Sequence, residues 1–192
     1  GFVCRRENTG FYCMKTYRFA RQILMFGEDG QRKIEAQKIA VVGAGGIGSQ
    51  VCQSLAYLGV RNFGVIDDDR LDETNMNRVS GAFPPDIDRL KVEVAKEHIL
   101  QINPEAEVMA ISRNLRTREA LEFLIGCTHI FGCVDHDGPR LVLTELASAY
   151  RIPLIDAATE IFPEAAGRPF DFGGRVVVAR PGDYCLICAN QL

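Results

Sequence analysis

Hydrophobic positions along the chain fall into short runs separated by polar turns. "KIAVVGAG" (38–45) is an apolar run rich in β-branched residues and alanine that stops on glycine, the pattern of a short buried strand. "GIGSQVCQSLAYLGV" behind it places apolar residues at 47, 51, 52, 55, 56 and 58, a helical rhythm, with Gly59 at its stop. The two signatures then alternate. "NFGVIDDD" (62–69) predicts a second strand, and "FPPDIDRLKVEVAKEHILQINP" a helix from about Asp86 to the Pro104 boundary. "AEVMAIS" predicts a third strand, "REALEFLIGC" a helix, "THIFGCVD" a fourth strand and "GPRLVLTELASAYR" a helix. "IPLIDAA" and "GGRVVVAR" complete six strands. Ahead of them, residues 17–37 predict one or two short helices broken at Gly27 and Gly30. Residues 1–16 lack periodicity and are expected to be an irregular N-terminal arm.

Strands alternating with helices of this length imply an α/β fold: a Rossmann-like, mostly parallel sheet with helices on both faces. Such sheets bind ligands at the carboxyl ends of their strands. The expected organisation is one nucleotide-binding domain over 17–192, without an internal repeat or a linker.

Composition narrows the classes. The 192 residues are 47% hydrophobic and 24% charged, ordinary for a globular domain, and the net charge of −3 argues against nucleic acid or an anionic membrane as partner. No apolar run is long enough to span a bilayer, and "GFVCRRENTGFYCMKT" lacks the apolar core of a signal peptide. Seven cysteines, several in apolar stretches, favour a reducing, cytoplasmic setting with free or metal-bound thiols over a disulfide framework.

The chemistry concentrates on the first strand–helix turn. Gly43, Gly45 and Gly48 form G-x-G-x-x-G with an additional Gly46. In such a turn the first glycine permits the tight bend, the second lets backbone N–H groups approach phosphates, and the third lets the helix pack close to the strand. Asp67 follows 24 residues after Gly43, at the end of the second strand, where a carboxylate accepts from ribose hydroxyls. A dinucleotide oxidoreductase and an adenylating enzyme both fit this much. "DDDRLDETNMNR" separates them, placing Asp67, Asp69, Asn75 and Arg78 just past the second strand. Lys91 follows near the next helix, and Asp135 ends the fourth strand. Two cations and a carboxylate gathered on a triphosphate suit phosphoryl chemistry, with Asp135 as a Mg²⁺ ligand.

Six motifs in order, "RFARQILMFGEDGQ", "VVGAGGIGS", "DDDRLDETNMNR", the lysine of "DRLK", "CVDHDGPR" and "CLIC", resemble the ThiF/MoeB/HesA family, bacterial relatives of ubiquitin-activating enzymes. The resemblance runs from about Tyr17 to Cys188. It implies ATP-dependent adenylation of the C-terminal carboxylate of a small ubiquitin-like or sulfur-carrier protein, with release of pyrophosphate. By the matching motifs, Asp67 holds the ribose, Asn75, Arg78 and Lys91 contact phosphates, and Asp135 holds Mg²⁺. Gly43, Gly45, Gly46 and Gly48 shape the pocket. Arg21 reaches the partner subunit's site in a homodimer.

"CLIC" (Cys185, Cys188) is a C-x-x-C, the spacing found in half of a tetrahedral zinc site. The family completes it with a second C-x-x-C, which does not follow here. The readings left are a fragment lacking its C-terminal part, an absence of zinc, or Cys4 and Cys13 as the other ligands. No thioester-forming cysteine is readable. Val79 stands where relatives often carry glutamine. His136 reads as a plain loop residue, Asp137 as the cap of the helix behind it, and Cys52 and Cys133 as core. The alternatives are adenylation of another carboxylate (a peptide C-terminus or a modified tRNA), an inactive binding half of a heterodimer, and an NAD-dependent oxidoreductase.

Overall fold

The computed structural model describes residues 6–7, 10–11, 18–162, 171–183 and 185–189. Within the N-terminal stretch, Arg6–Glu7 (β1) and Gly10–Phe11 (β2) pair antiparallel. Helix α1 spans Ala20–Glu35 and breaks at Gly27, whose φ of 73° is open to glycine at little cost. Gly30 does not break it.

The main sheet contains β3 (Lys38–Val42), β4 (Asn62–Ile66), β5 (Glu107–Ile111), β6 (His129–Gly132), β7 (Leu154–Phe162) and β8 (Asp171–Ala179). Their spatial order is β5-β4-β3-β6-β7-β8, parallel except for β8, which runs antiparallel to β7. The helices between them are α2 (Gly46–Leu58), α3 (Lys91–Ile102), α4 (Arg118–Ile125) and α5 (Asp137–Tyr150).

Alternation along β3 explains the layers. Ile39 and Val41 pack with Cys52, Leu55, Val92, Ala95 and Ile99, from α2 and α3. Ala40 and Val42 point the other way and pack with Ala120, Leu124, Leu143 and Leu146, from α4 and α5. A strand covered on both faces must be apolar throughout, which is why β3 reads as a continuous run. Among the described residues no helix is long and apolar enough to cross a membrane.

The strand order reverses between β3 and β6, so their carboxyl ends flank a crevice. One predicted boundary shifts here. The helix expected from Asp86 starts at Lys91. Asp86 instead lies in a 3₁₀ turn (Pro84–Asp86) where its carboxylate accepts from the Phe83 N–H, and Asp88 is left-handed at φ 69°. The chain between β4 and α3 doubles back, with Leu71 and Arg89 joined by a 2.9 Å backbone bond and Lys91 N–H bonded to the Asp69 carbonyl at 3.1 Å. Val79 is buried against Leu71 and Val94 in this excursion, so an apolar residue suits the position.

Candidate active site

A cavity of about 590 Å³ opens at the crevice. Gly43, Gly45, Gly46, Asp67, Asp69, Arg78, Lys91 and Asp135, all predicted site residues, line it.

The glycine turn is held from several sides. Gly43 has φ 91°, and a Cβ there would meet the Cys133 carbonyl oxygen at 2.5 Å. Gly48 is buried away from the cavity, and a Cβ on it would lie 1.8 Å from the Gly43 carbonyl oxygen. It is the packing glycine the spacing predicts. No side chain caps the N-terminus of α2 at Gly45. The first N–H groups of that helix and its dipole are thus left to an anion in the cavity.

Asp67 is largely buried at the end of β4. One of its oxygens accepts from Ala44 N–H at 2.6 Å and the other from Asp69 N–H at 2.9 Å. It therefore braces the turn, and a carboxylate still has lone pairs for a ribose hydroxyl. Burial pushes its carboxyl above the ordinary range, against the pull of those two N–H groups and Lys91. Lys91, the first residue of α3, lies 2.7 Å from Asp69 Oδ2. Arg78 lays its methylenes over Gly46, 3.2 Å from where a Cβ would stand there, and donates to the Thr74 carbonyl. Ser80, two residues on, takes its segment to α2 through the Ser49 hydroxyl at 2.9 Å.

Asp135 is exposed on the loop after β6, with His136 Nε2 3.5 Å from its Oδ1. His136, read as a plain loop residue, lines the cavity and occupies the N-cap of α5. Asp137 is the first residue of that helix rather than its cap, and lies 3.4 Å from Arg140. Asp67, Asp68 and Asp69 can present oxygens within 4.8 Å of one another. These carboxylates and, separately, Asp135 on the same cavity wall are hard oxygen donors, the chemistry that fits Mg²⁺.

Three residues predicted for the nucleotide site are not in this wall: Gly48, which packs behind it, Asn75 and Arg21. Asn75 is buried, its amide donating to Asp72 and Thr74, and its Oδ1 has no hydrogen-bond partner. Arg21 is exposed on α1, which docks at the far end of α2 through Gln22 and Gln31, both bonded to the Leu58 carbonyl at 3.1 Å. The length of α2, about 20 Å at 1.5 Å per residue, separates that end from the cavity. Conversely, Asp68, Arg113, Asn114, Leu115 and Thr159 line the cavity without having been singled out. Asp68 follows β4, Arg113, Asn114 and Leu115 follow β5, and Thr159 lies within β7 past the end of its pairing with β6; the rule that ligands sit at carboxyl ends of strands was the signal for them.

Cys185 and Cys188 hold their sulfurs 3.5 Å apart, and the Cys188 backbone N–H, first among its contacts, lowers the Cys185 thiol pKa. Cys4 and Cys13 lie outside the described residues. Cys52 is buried core, whereas Cys133 is half-buried on the cavity wall, its thiol pushed up to about 12 by burial.

Comparison with protein-family models matches residues 19–192 to the ThiF family. The chain belongs to the ThiF family. A sulfur carrier protein ThiS adenylyltransferase of Escherichia coli K12 is 32% identical over 182 residues, covering 91% of this chain and 68% of that protein. An adenylyltransferase and sulfurtransferase UBA4 of Meyerozyma guilliermondii is 33% identical over 147 residues, 73% of this chain and 34% of that protein. This ThiF-family chain thus spans about a third of the length of the UBA4 proteins it matches. In structure it is similar to E. coli TcdA, a tRNA N6-threonylcarbamoyladenosine dehydratase in complex with ATP, with TM-score 0.68 and 26% identity over 76% of this chain and 65% of the other. It is also similar to E. coli MccB with ATP, with TM-score 0.68 and 25% identity over 88% of this chain and 49% of the other.

Proposed function

We propose that this ThiF-family protein adenylates the C-terminal carboxylate of a small ubiquitin-like or sulfur-carrier protein, consuming ATP and releasing pyrophosphate. The observation that carries the reading is one cavity combining an uncapped helix N-terminus with Arg78, Lys91 and Asp135. Two cations beside a helix N-terminus suit the charge of a triphosphate. The likeness to the ThiS adenylyltransferase over most of both chains supports the substrate class.

In the reaction, one oxygen of the carboxylate attacks the α-phosphorus of ATP. The bond from that phosphorus to the oxygen bridging to the β-phosphate breaks, and pyrophosphate leaves with the electron pair. The carboxylate is already ionised at neutral pH, so no general base is required. Two anions must instead be brought together. Arg78, Lys91 and the α2 N-terminus offset their repulsion and stabilise the departing charge, and orienting the reactants supplies a further share of the barrier, of order 7–11 kcal/mol in well-aligned systems. Mg²⁺, held by Asp135, would add positive charge on the triphosphate. Asp67 holds the ribose side while bracing the turn.

Arg21 completes the site from a second copy in a homodimer. Its distance from its own cavity supports this, as do Leu24 and Met25, left 88% and 79% exposed beside it. Cys185 and Cys188 supply half of a zinc site. The free thiols of Cys52, Cys127 and Cys133 suit a reducing cytoplasm.

Pyrophosphate exchange into ATP is the direct test, with thermal shift as its companion. ATP with Mg²⁺ should raise the melting temperature and NAD should not; stabilisation by NAD alone overturns the reading. Capture of a small protein ending in Gly-Gly would identify the substrate. The likeness to TcdA favours a second reading, adenylation of a carboxylate on modified tRNA. Exchange stimulated by tRNA and not by carrier protein would select it.

A further inference from the structure

Behind the Asp135 loop lie buried charges that the reaction does not use. Asp156 on β7 is fully buried and Arg140 on α5 nearly so. Arg140 Nε lies 3.3 Å from Asp156 Oδ1, and Arg175 Nε of β8 stands 4.0 Å from Oδ2. Room for the carboxylate comes from Gly132, its register partner on β6, where a Cβ would stand 3.1 Å from Asp156 Oδ1. The guanidinium divides its fork. Beyond Asp156, one terminal nitrogen donates to the Val134 carbonyl and the other lies 3.4 Å from the Asp137 carboxylate.

Val134 immediately precedes Asp135. Its other neighbour, Cys133, donates from its N–H to the Val42 carbonyl at 2.8 Å and sets its own carbonyl against Gly43. The segment 133–135 is therefore pinned by the glycine turn on one side and by Arg140 on the other. A buried ion pair is a poor stabilising device, because apolar residues of like volume often do as well or better. Burial raises the Asp156 carboxyl above its ordinary value despite the two arginines, so the pair is held at a cost. Its connection to the cavity wall supplies the reason to keep it.

We propose that Arg140, oriented by Asp156, is a positioning residue that fixes the Val134 carbonyl and thereby aims the Asp135 carboxylate into the nucleotide cavity. This rests on the adenylation reading of that cavity. The guanidinium sets its charge beside Asp156 while a terminal nitrogen reaches the Val134 carbonyl, a spread of contacts that a lysine ammonium cannot reproduce.

The test is a double-mutant cycle on pyrophosphate exchange with Arg140→Lys, Asp135→Ala and both together. Arg140→Lys should lower kcat by about 10- to 10²-fold, the scale of a misplaced catalytic group, and leave KM for ATP within about twofold, since Gly45, Arg78 and Lys91 are untouched. Added to Asp135→Ala it should cost nothing more, because it acts through that residue. Losses that multiply overturn the proposal. A second variant, Arg140→Met with Asp156→Leu and Arg175→Leu, removes the three charges together; it should melt near the wild type and still exchange slowly. Exchange restored to the wild-type rate would reduce the pair to packing and also overturn the proposal. Wild-type protein that binds no ATP would end the adenylation reading and this inference with it, whereas an active wild type with an additive cycle ends this inference alone.

Discussion

Gly48→Ala puts one methyl into the tightest place of the site. A Cβ there would stand 1.8 Å from the Gly43 carbonyl oxygen and 2.9 Å from its carbon. That is about 1.5 Å short of van der Waals contact, and both neighbours are backbone, which cannot rotate aside. The α2 N-terminus must part from the glycine turn. Overpacking of this kind costs about 1–3 kcal/mol. Each kcal/mol moves the melting temperature of a domain this size by about 2–4 °C, so a fall of about 2–12 °C is expected. The displaced turn should also weaken ATP binding, since the N–H groups it presents no longer converge. Gly45→Ala is the matched control. Its Cβ would meet nothing within 4 Å, and its φ is −77°. Its ligand-free melting temperature should stay within about 1 °C of wild type, while the methyl on the cavity wall lowers ATP affinity by an order of magnitude. Scanning fluorimetry and titration calorimetry separate the two effects. A Gly48→Ala protein that melts like wild type, or a Gly45→Ala protein that binds ATP normally, would refute the assignment of one glycine to packing and the other to phosphate.

Asp135→Ala should reduce pyrophosphate exchange by about 10²-fold or more without unfolding the chain, and an unchanged rate would remove it from the mechanism. Arg21→Ala and Lys91→Ala chains, each nearly inactive, should recover part of their activity on mixing, because a mixed dimer contains one intact site; no recovery would place Arg21 outside the partner's site. Burial raises the Asp67 carboxyl in the folded state, so between its unfolded and folded values the native chain binds more protons and this residue's contribution to stability falls as pH rises. Denaturation of wild type and Asp67→Asn from about pH 4 to 7 should show the variant gaining relative stability with rising pH, and a constant difference would contradict the burial argument.

What the sequence exposes is what is local. The run 39–42 is apolar because β3 is covered on both faces, and Gly43, Gly48 and Asp67 follow it at fixed spacing. Arg78 and Lys91 are legible as types. Their meeting depends on the doubled-back excursion, sealed by the bonds at Leu71, Asp88 and Lys91. The start of α3 was masked by the Phe83–Asp86 turn, which satisfies locally the groups a helix would use. Arg113 and Asn114 carry no motif, and only the parallel pairing of β4 with β5 brings them to the cavity. The inward turn of Asn75 and the pairing of Arg140 with Asp156 depend on side-chain choices between segments, which periodicity does not encode.

Strand β7 outruns its parallel neighbour. β6 reaches only Leu154 to Asp156, whereas β8 pairs from Leu154 to Phe162. Among the described residues, 157–162 thus depend on a single ladder, beyond the sheet and on the cavity side. A two-stranded ribbon is marginal by itself, so its opening is a smaller event than unfolding of the sheet. Thr159, on the cavity wall, belongs to this ribbon, and opposite it and Glu160 stand Gly174 and Gly173. Glycine loses the most backbone entropy on ordering and gives a ladder no side chain to pack. The wall that Thr159 gives the cavity therefore rests on a ladder weakened at two glycines.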